Sequence, residues 1–324
     1  MSEFVNARGL IDHAHYNEGM QAIENELSKF RQDQELQTPD GAKLFVSCFP
    51  VENAKGTVMI LHGFTENAYK FQEVIHGFVT DGWSVVAYDQ RGHGRSFRDS
   101  KTIPTTVYID RFETYIEDFK LVYDRFVAKA PGKKILFAHS MGGAVALLAL
   151  ENTDKAFDKA VLSSPMVAPA TGGVPLWAGR LCCYLFFLIG KAKERIFFSA
   201  PYTGHEDFET SCASSPERFT WYDDVKFNNK EYQTSNPSYR WTLESMNVTK
   251  KILKKSAPES IQIPVRIYSA ELDNTVLIDP QKEAASRIPK GEFIPVKAAK
   301  HEIYRSTDEV LYPWWDSVIE YIND

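Results

Sequence analysis

The stretch KILFAHSMGGAVALLALEN, residues 134–152, decides how the rest of the chain is read. Its first six residues form a short apolar run that predicts a strand, and a helix is predicted to begin at once from Met141. Ser140 stands at the junction. A sharp strand-to-helix turn carries a serine hydroxyl to the carboxyl edge of a sheet, where open α/β sheets bind ligands. A serine hydroxyl is a weak nucleophile and must be presented to a base. The turn is crowded, so small residues are needed two before and two after the serine. Gly142 meets this need, and Ala138 stands where the usual pattern has glycine. The Met141 N–H and the positive end of the helix would face a developing oxyanion. A helix N-cap serine beside a Gly-rich packing contact is the plainer reading of the same residues. Context elsewhere in the chain has to choose between the two.

Working outward, KLFVSCF (43–49), GTVMILHG (56–63), SVVAYD (84–89) and KAVLSSP (159–165) read as strands, with helical spacing near 69–82 and over 109–130. NEGMQAIENELSKF, beginning at Asn17, reads as an amphipathic helix outside the main core. The alternation lapses over about 167–255, which is rich in aromatics. It resumes with IPVRIYSA (263–270), a helix near PQKEAASRI, EFIPV (292–296) and a terminal helix. Strands alternating with helices predict an α/β fold with a mostly parallel central sheet and helices on both faces. The expected division is a first core part over 1–166 with an N-terminal helical extension, a helical cap over 167–255, and a second core part over 256–324.

Partners for Ser140 follow from this layout. The strand at 263–270 ends in SAELDNTV, and an acid just beyond a strand can receive the Nδ1–H of a histidine. Asp273 is the choice, with Glu271 an alternative two residues away. His301 is the histidine placed after the last strand and before the last helix, so it is the candidate base. The early strand 56–61 runs into His62-Gly63-Phe64, and the loop after such a strand supplies a second oxyanion N–H, assigned to Phe64. His62 reads as a loop-shaping residue. Asp89, at the head of DQRGHGRS, reads as a support for a tight loop rather than a catalytic acid. Gly92 and Gly94 lack the third glycine and the context of a dinucleotide fingerprint.

The chain has 37 Lys+Arg against 43 Asp+Glu, a formal charge of -6, and no basic block, so nucleic-acid binding is not expected. Cys48, Cys182, Cys183 and Cys212 form neither a CxxC pair nor a metal-ligand spacing and read as free thiols. The first residues have no apolar leader, so no cleaved secretory signal is expected. The run Leu181–Ile189 is about half of the roughly 20 residues needed to cross a bilayer. These features predict a cytoplasmic chain, with the inner-membrane surface as a second location open to it. His205-Glu206 and His301-Glu302 lack the second histidine of a zinc helix, and no Walker loop is present.

Taken in order, HGFTE, YDQRGHGRS, AHSMGG, SAELDNTV and AKHE resemble the bacterial lysophospholipase and monoacylglycerol lipase group of α/β-hydrolases over roughly residues 35–324. NPSYRWTLES, beginning at Asn236, looks like the lysophospholipase branch. The resemblance implies the α/β-hydrolase fold and hydrolysis of a fatty-acyl ester, with a small lipid or ester as substrate. That chemistry uses Ser140, Asp273 and His301 and needs no metal or organic cofactor. Trp177, Leu181, Phe186, Tyr239 and Trp241 in the cap are candidate substrate-binding residues, and packing of the cap alone would account for them equally well. Arg180, Lys191, Lys193 and Arg195 beside this apolar run would meet lipid headgroups at a membrane surface. Two rival readings stay open. A peptidase would need an acidic cap cluster such as Glu206, Asp207 and Glu209, or Asp223 and Asp224. A non-catalytic ligand-binding protein would keep the fold alone.

Overall fold

The computed structural model describes residues 3–99, 101–151 and 156–324. The chain runs through α1 (Tyr16–Ser28), β1 (Gln32–Gln37), β2 (Lys43–Phe49), β3 (Gly56–Leu61), α2 (Gln72–Thr80), β4 (Ser84–Tyr88) and the two-residue β5 (Thr106–Val107). It continues through α3 (Glu113–Val122), β6 (Lys133–His139), α4 (Met141–Leu150) and β7 (Lys159–Ser163). Then come α5 (Leu176–Leu188), α6 (Pro216–Asn228), β8 (Asn236–Pro237) and α7 (Tyr239–Ile252). The last elements are β9 (Val265–Ala270), α8 (Ile278–Arg287), β10 (Gly291–Val296) and α9 (Asp308–Asn323).

An 8-stranded sheet has the order β1-β2-β4-β3-β6-β7-β9-β10. Only β1 with β2 and β2 with β4 pair antiparallel; the other neighbours are parallel. The apolar run of β3 explains its central place. Val58 and Ile60 enter the core beneath α1, α2 and α9, while Met59 and Leu61 enter the core beneath α3 and α4. A strand buried on both faces cannot alternate in sequence, and each such side chain contributes about 1.5–3 kcal/mol by leaving water.

One expectation is corrected and one strand is added. α1 is not outside the core: Tyr16, Met20, Ile23 and Leu27 are buried in the same cluster as Trp83 and Trp315. Gly19 permits this, since a β-carbon there would lie 2.3 Å from Ile11 Cγ2. β1 was not foreseen, because QDQELQ is polar and mostly exposed. It forms because the turn at Thr38–Gly41 folds it back on β2, with Thr38 N–H donating to Ala42 O at 2.8 Å. Charged and polar residues on this edge strand discourage pairing with other chains.

Between β7 and β9 the chain is not purely helical, because β8 pairs in parallel with β5. α7 sends Trp241, Val248 and Ile252 into the cluster that holds α4. α5 packs on α7 through Cys183, Leu243 and Met246. α6 is tied down by Arg218, fully buried, which bonds Glu73, Asp308 and the Ile11 carbonyl. No helix of the described residues is long and apolar enough to cross a membrane.

Candidate active site

The turn from β6 into α4 holds Ser140 at φ 51°, ψ −117°. This is a sparsely populated conformation for a residue with a β-carbon and costs of order 1–3 kcal/mol. Its surroundings enforce it. Ser140 N–H donates to Ser163 O at 3.1 Å, and Met166 N–H donates to Ser140 O at 2.8 Å. A β-carbon on Gly142 would lie 2.7 Å from the carbonyls of both Leu61 and His62, and one on Gly143 would lie 2.5 Å from Pro165 Cβ. The small residues around the serine are therefore required by the close passage of β3 and the segment after β7. Ala138 is fully buried in the strand, so its methyl is accommodated.

His301 Nε2 lies 2.8 Å from Ser140 Oγ, and its Nδ1 lies 2.6 Å from Asp273 Oδ2. The other carboxylate oxygen of Asp273 accepts the N–H groups of Thr275 at 2.9 Å and Val276 at 3.0 Å. Burial opposes ionisation of Asp273, but the bond to His301 and these N–H donors outweigh it and hold the carboxylate below its ordinary range. An acceptor at Nδ1 fixes the proton there and leaves the Nε2 lone pair facing the serine hydroxyl. Glu271 is directed elsewhere, accepting the Ala298 N–H at 3.1 Å from an exposed position. Ser140 and His301 are both buried.

The other candidates fall into two groups. Gly63 packs against the nucleophile: a β-carbon there would lie 3.1 Å from Ser140 Cβ. This sets the loop carrying Phe64 beside the serine. Among the described residues, neither the Phe64 nor the Met141 N–H donates to a protein acceptor. His62 is spent on its loop, with Nδ1 2.7 Å from Gly63 O and Nε2 accepting Gln90 N–H at 2.8 Å. Asp89 accepts the N–H groups of Ala68 at 2.7 Å and Arg95 at 2.8 Å, as a loop support should. Trp241 packs on Phe64 with ring centroids 3.9 Å apart and planes tilted by 33°, which brings α7 to the serine loop. Tyr239 and Phe186 stack on each other at 4.0 Å within the α5–α7 contact. Trp177 and Leu181 point outward, 70% and 51% exposed.

Sequence reasoning missed a buried charged chain beside these groups. Glu66 accepts Gly63 N–H at 2.5 Å, Tyr304 O–H at 2.5 Å and Lys70 Nζ at 2.8 Å. Lys70 Nζ also donates to Glu302 at 2.7 Å, and Glu302 accepts Arg305 Nη1 at 2.6 Å. The four-residue spacing of Glu66 and Lys70 was a visible signal; the link to Glu302, 232 residues from Lys70, was not. His139 lies under this group, its ring 4.8 Å from that of His301, and burial pushes it down to about 4, so it is neutral. Lys70 and Glu302 also line a cavity of about 510 Å³, together with Thr65, Glu206, Asp223 and Lys226.

The chain is similar to known proteins in sequence and in fold. A probable lysophospholipase L2 of Haemophilus influenzae is 29% identical over 280 residues, covering 84% of this chain and 85% of that protein. The human monoglyceride lipase is 28% identical over 134 residues, 41% of this chain and 42% of its own. A soluble variant of the Saccharomyces cerevisiae monoglyceride lipase, solved with a substrate analogue, superposes with a TM-score of 0.69 at 18% identity, covering 90% of this chain and 96% of that one. At that identity the likeness speaks for the fold. The Hydrolase_4 family model, described as serine aminopeptidase, S33, matches residues 52–308, a span from before β3 to the start of α9 that takes in Ser140, Asp273 and His301. With most of its length so matched, the chain belongs to the Hydrolase_4 family of α/β-hydrolases.

Proposed function

We propose that this protein is a serine carboxylic ester hydrolase that cleaves fatty-acyl esters of lysophospholipids or monoacylglycerols through an acyl-enzyme. The observation that carries the reading is the 2.8 Å approach of His301 Nε2 to Ser140 Oγ, with Asp273 2.6 Å behind the ring. In this reading His301 takes the Ser140 proton as Oγ attacks the ester carbonyl. Asp273 holds the ring and stabilises its cation. The free N–H groups of Phe64 and Met141 receive the oxyanion, aided by the N-terminus of α4. The tetrahedral intermediate expels the alcohol, which takes its proton from His301. Water then attacks the acyl-enzyme with His301 as base, releasing the fatty acid and restoring Ser140.

Residues 167–255 act as the cap. The leaving alcohol must lie on the His301 side to collect its proton; the cavity of about 510 Å³, lined by Thr65 next to Phe64 and by Glu302 next to His301, supports a headgroup site there, with both charge signs available. The acyl chain would run toward Phe64 and Trp241. The cap's outer surface suits a lipid interface: Ile189, Phe197 and Phe198 are 66%, 67% and 69% exposed, beside Arg180, Lys191, Lys193 and Arg195. The name of the Haemophilus relative supports the lysophospholipid class and that of the human relative the monoacylglycerol class.

Initial rates of fatty-acid release from lysophosphatidylcholine and from a monoacylglycerol of the same chain length test the reading, with Ser140→Ala as control. Release from either that depends on Ser140 is the expected result. Its absence from both, with rapid turnover of short esters, would move the enzyme to small esters. A second reading is favoured by Glu206, Asp207 and Asp223 lining the cavity, since carboxylates there can hold the free amine of a peptide. Amino-acid p-nitroanilides cleaved faster than p-nitrophenyl acyl esters would establish it.

A further inference from the structure

Two loops must be in register for this chemistry: the one carrying the Phe64 N–H and the one carrying His301. They leave different strands, β3 and β10, which are not neighbours in the sheet. No direct main-chain pair joins them; β6, β7 and β9 stand between. Two side-chain links join them: Tyr304 O–H donates to Glu66, and Glu66 and Glu302 are both bonded to the Lys70 ammonium. Glu66 takes the Gly63 N–H on one oxygen and Lys70 and Tyr304 on the other. Glu302 directly follows His301 and shares its carboxylate between Lys70 and Arg305.

Charge balances within the group, two carboxylates against Lys70 and Arg305, and all four side chains are nearly buried. Burial alone would drive both carboxyls toward the neutral acid, but the neighbouring cations prevail and keep them ionised well below the ordinary range. The Lys70 ammonium also lies over the Tyr222 ring, 5.1 Å from its centroid, so it is held from a third side as well as by both carboxylates.

We infer that Lys70 is a positioning residue that locks the oxyanion loop to the histidine loop through Glu66 and Glu302, so that the Phe64 N–H and His301 Nε2 are presented to Ser140 together. Lys70 touches no reacting atom. It acts through the Gly63 N–H on one side and through the residue after His301 on the other. The inference rests on the serine ester hydrolase reading. It explains why a buried ion pair, often a poor source of net stability, is built at this place: the gain is geometric.

The test uses p-nitrophenyl butyrate, whose turnover needs the triad and oxyanion site but no lipid recognition, on the intact chain. Lys70→Met should lower kcat about 10²-fold, the scale of losing one oxyanion donor or of a shift of about 1 Å, with KM within threefold. Affinity for a trifluoromethyl ketone, which forms an oxyanion on Ser140, should fall in the same proportion. Lys70→Arg should recover at least tenfold of the loss. Lys70→Met leaves two buried carboxylates short of a cation and can fail to fold, so the charge-balanced double variant Lys70→Gln/Glu302→Gln decides the matter. Loss of kcat and of ketone affinity in that double variant supports the lock. A double variant within threefold of wild type in both would overturn it and leave Lys70 as charge compensation only. Wild type that fails to hydrolyse the ester or bind the ketone would instead refute the hydrolase reading itself.

Discussion

Replacing Asp273 by asparagine changes one atom, and the structure says which way the amide must sit. Oδ1 accepts two N–H groups, from Thr275 at 2.9 Å and Val276 at 3.0 Å. An amide nitrogen there would set donor against two donors, so the asparagine oxygen takes that place. The NH2 group then faces His301 Nδ1, where the carboxylate now stands 2.6 Å away. A donor at that point turns Nδ1 into an acceptor and moves the proton to Nε2. Nε2–H would then point at Ser140 Oγ, 2.8 Å away, and could not take its proton. Loss of the negative charge also removes support for the imidazolium. The expected fall in kcat is about 10⁴-fold, close to 5.4 kcal/mol at about 1.36 kcal/mol per tenfold. Steady-state turnover of p-nitrophenyl butyrate, normalised by fluorophosphonate titration of active sites, measures it. Glu271→Gln, which alters only an exposed bond to Ala298 N–H, should stay within about twofold. An Asp273→Asn enzyme within tenfold of wild type, or a Glu271→Gln enzyme equally impaired, would refute the tautomer argument.

Three further outcomes are expected. Glu302, held down to about 2 by Lys70 and Arg305 against the opposing effect of burial, compares with about 4.3 in an unfolded chain. Its contribution to stability is present above the unfolded value and is lost as pH falls from about 4 toward 2, so urea midpoints should drop through that window more steeply in wild type than in Glu302→Gln. Gly142→Ala would force a methyl to 2.7 Å from two carbonyls; calorimetry should show a loss of about 1–3 kcal/mol, with activity lost as the elbow shifts. Phe197→Ser/Phe198→Ser should weaken sedimentation with anionic phosphatidylglycerol vesicles several-fold while leaving p-nitrophenyl butyrate turnover unchanged, because both side chains lie outside the core, 67% and 69% exposed.

Much of the architecture was legible in order along the chain. Buried parallel strands are continuous apolar runs, and those at β3, β4, β6, β7 and β9 stand out because both sheet faces are covered. That Ser140, Asp273 and His301 would meet was legible because each follows a recognisable strand, and an α/β sheet gathers strand ends on one edge. β1 was not, since an edge strand held by its partner needs no apolar pattern. The cap's internal order was equally hidden. Its aromatic residues could face in or out, and only packing separates Trp241, packed on Phe64, from Trp177 in solvent.

The sequence by itself determined the parallel strands of the sheet, the strand-to-helix turn at Ser140 and His301 as the candidate base, because local periodicity and loop position dictate them. It left Asp273 and Glu271 as alternatives, for a two-residue difference in a loop carries no periodic signal. The tertiary structure separates them by directing Glu271 to Ala298 N–H and Asp273 to His301, which supports Asp273 as the proposed acid. It also decided the Glu66–Lys70–Glu302 bridge, whose members meet only when loops more than two hundred residues apart in sequence are folded together; a contact of that span depends on the whole sheet being in register.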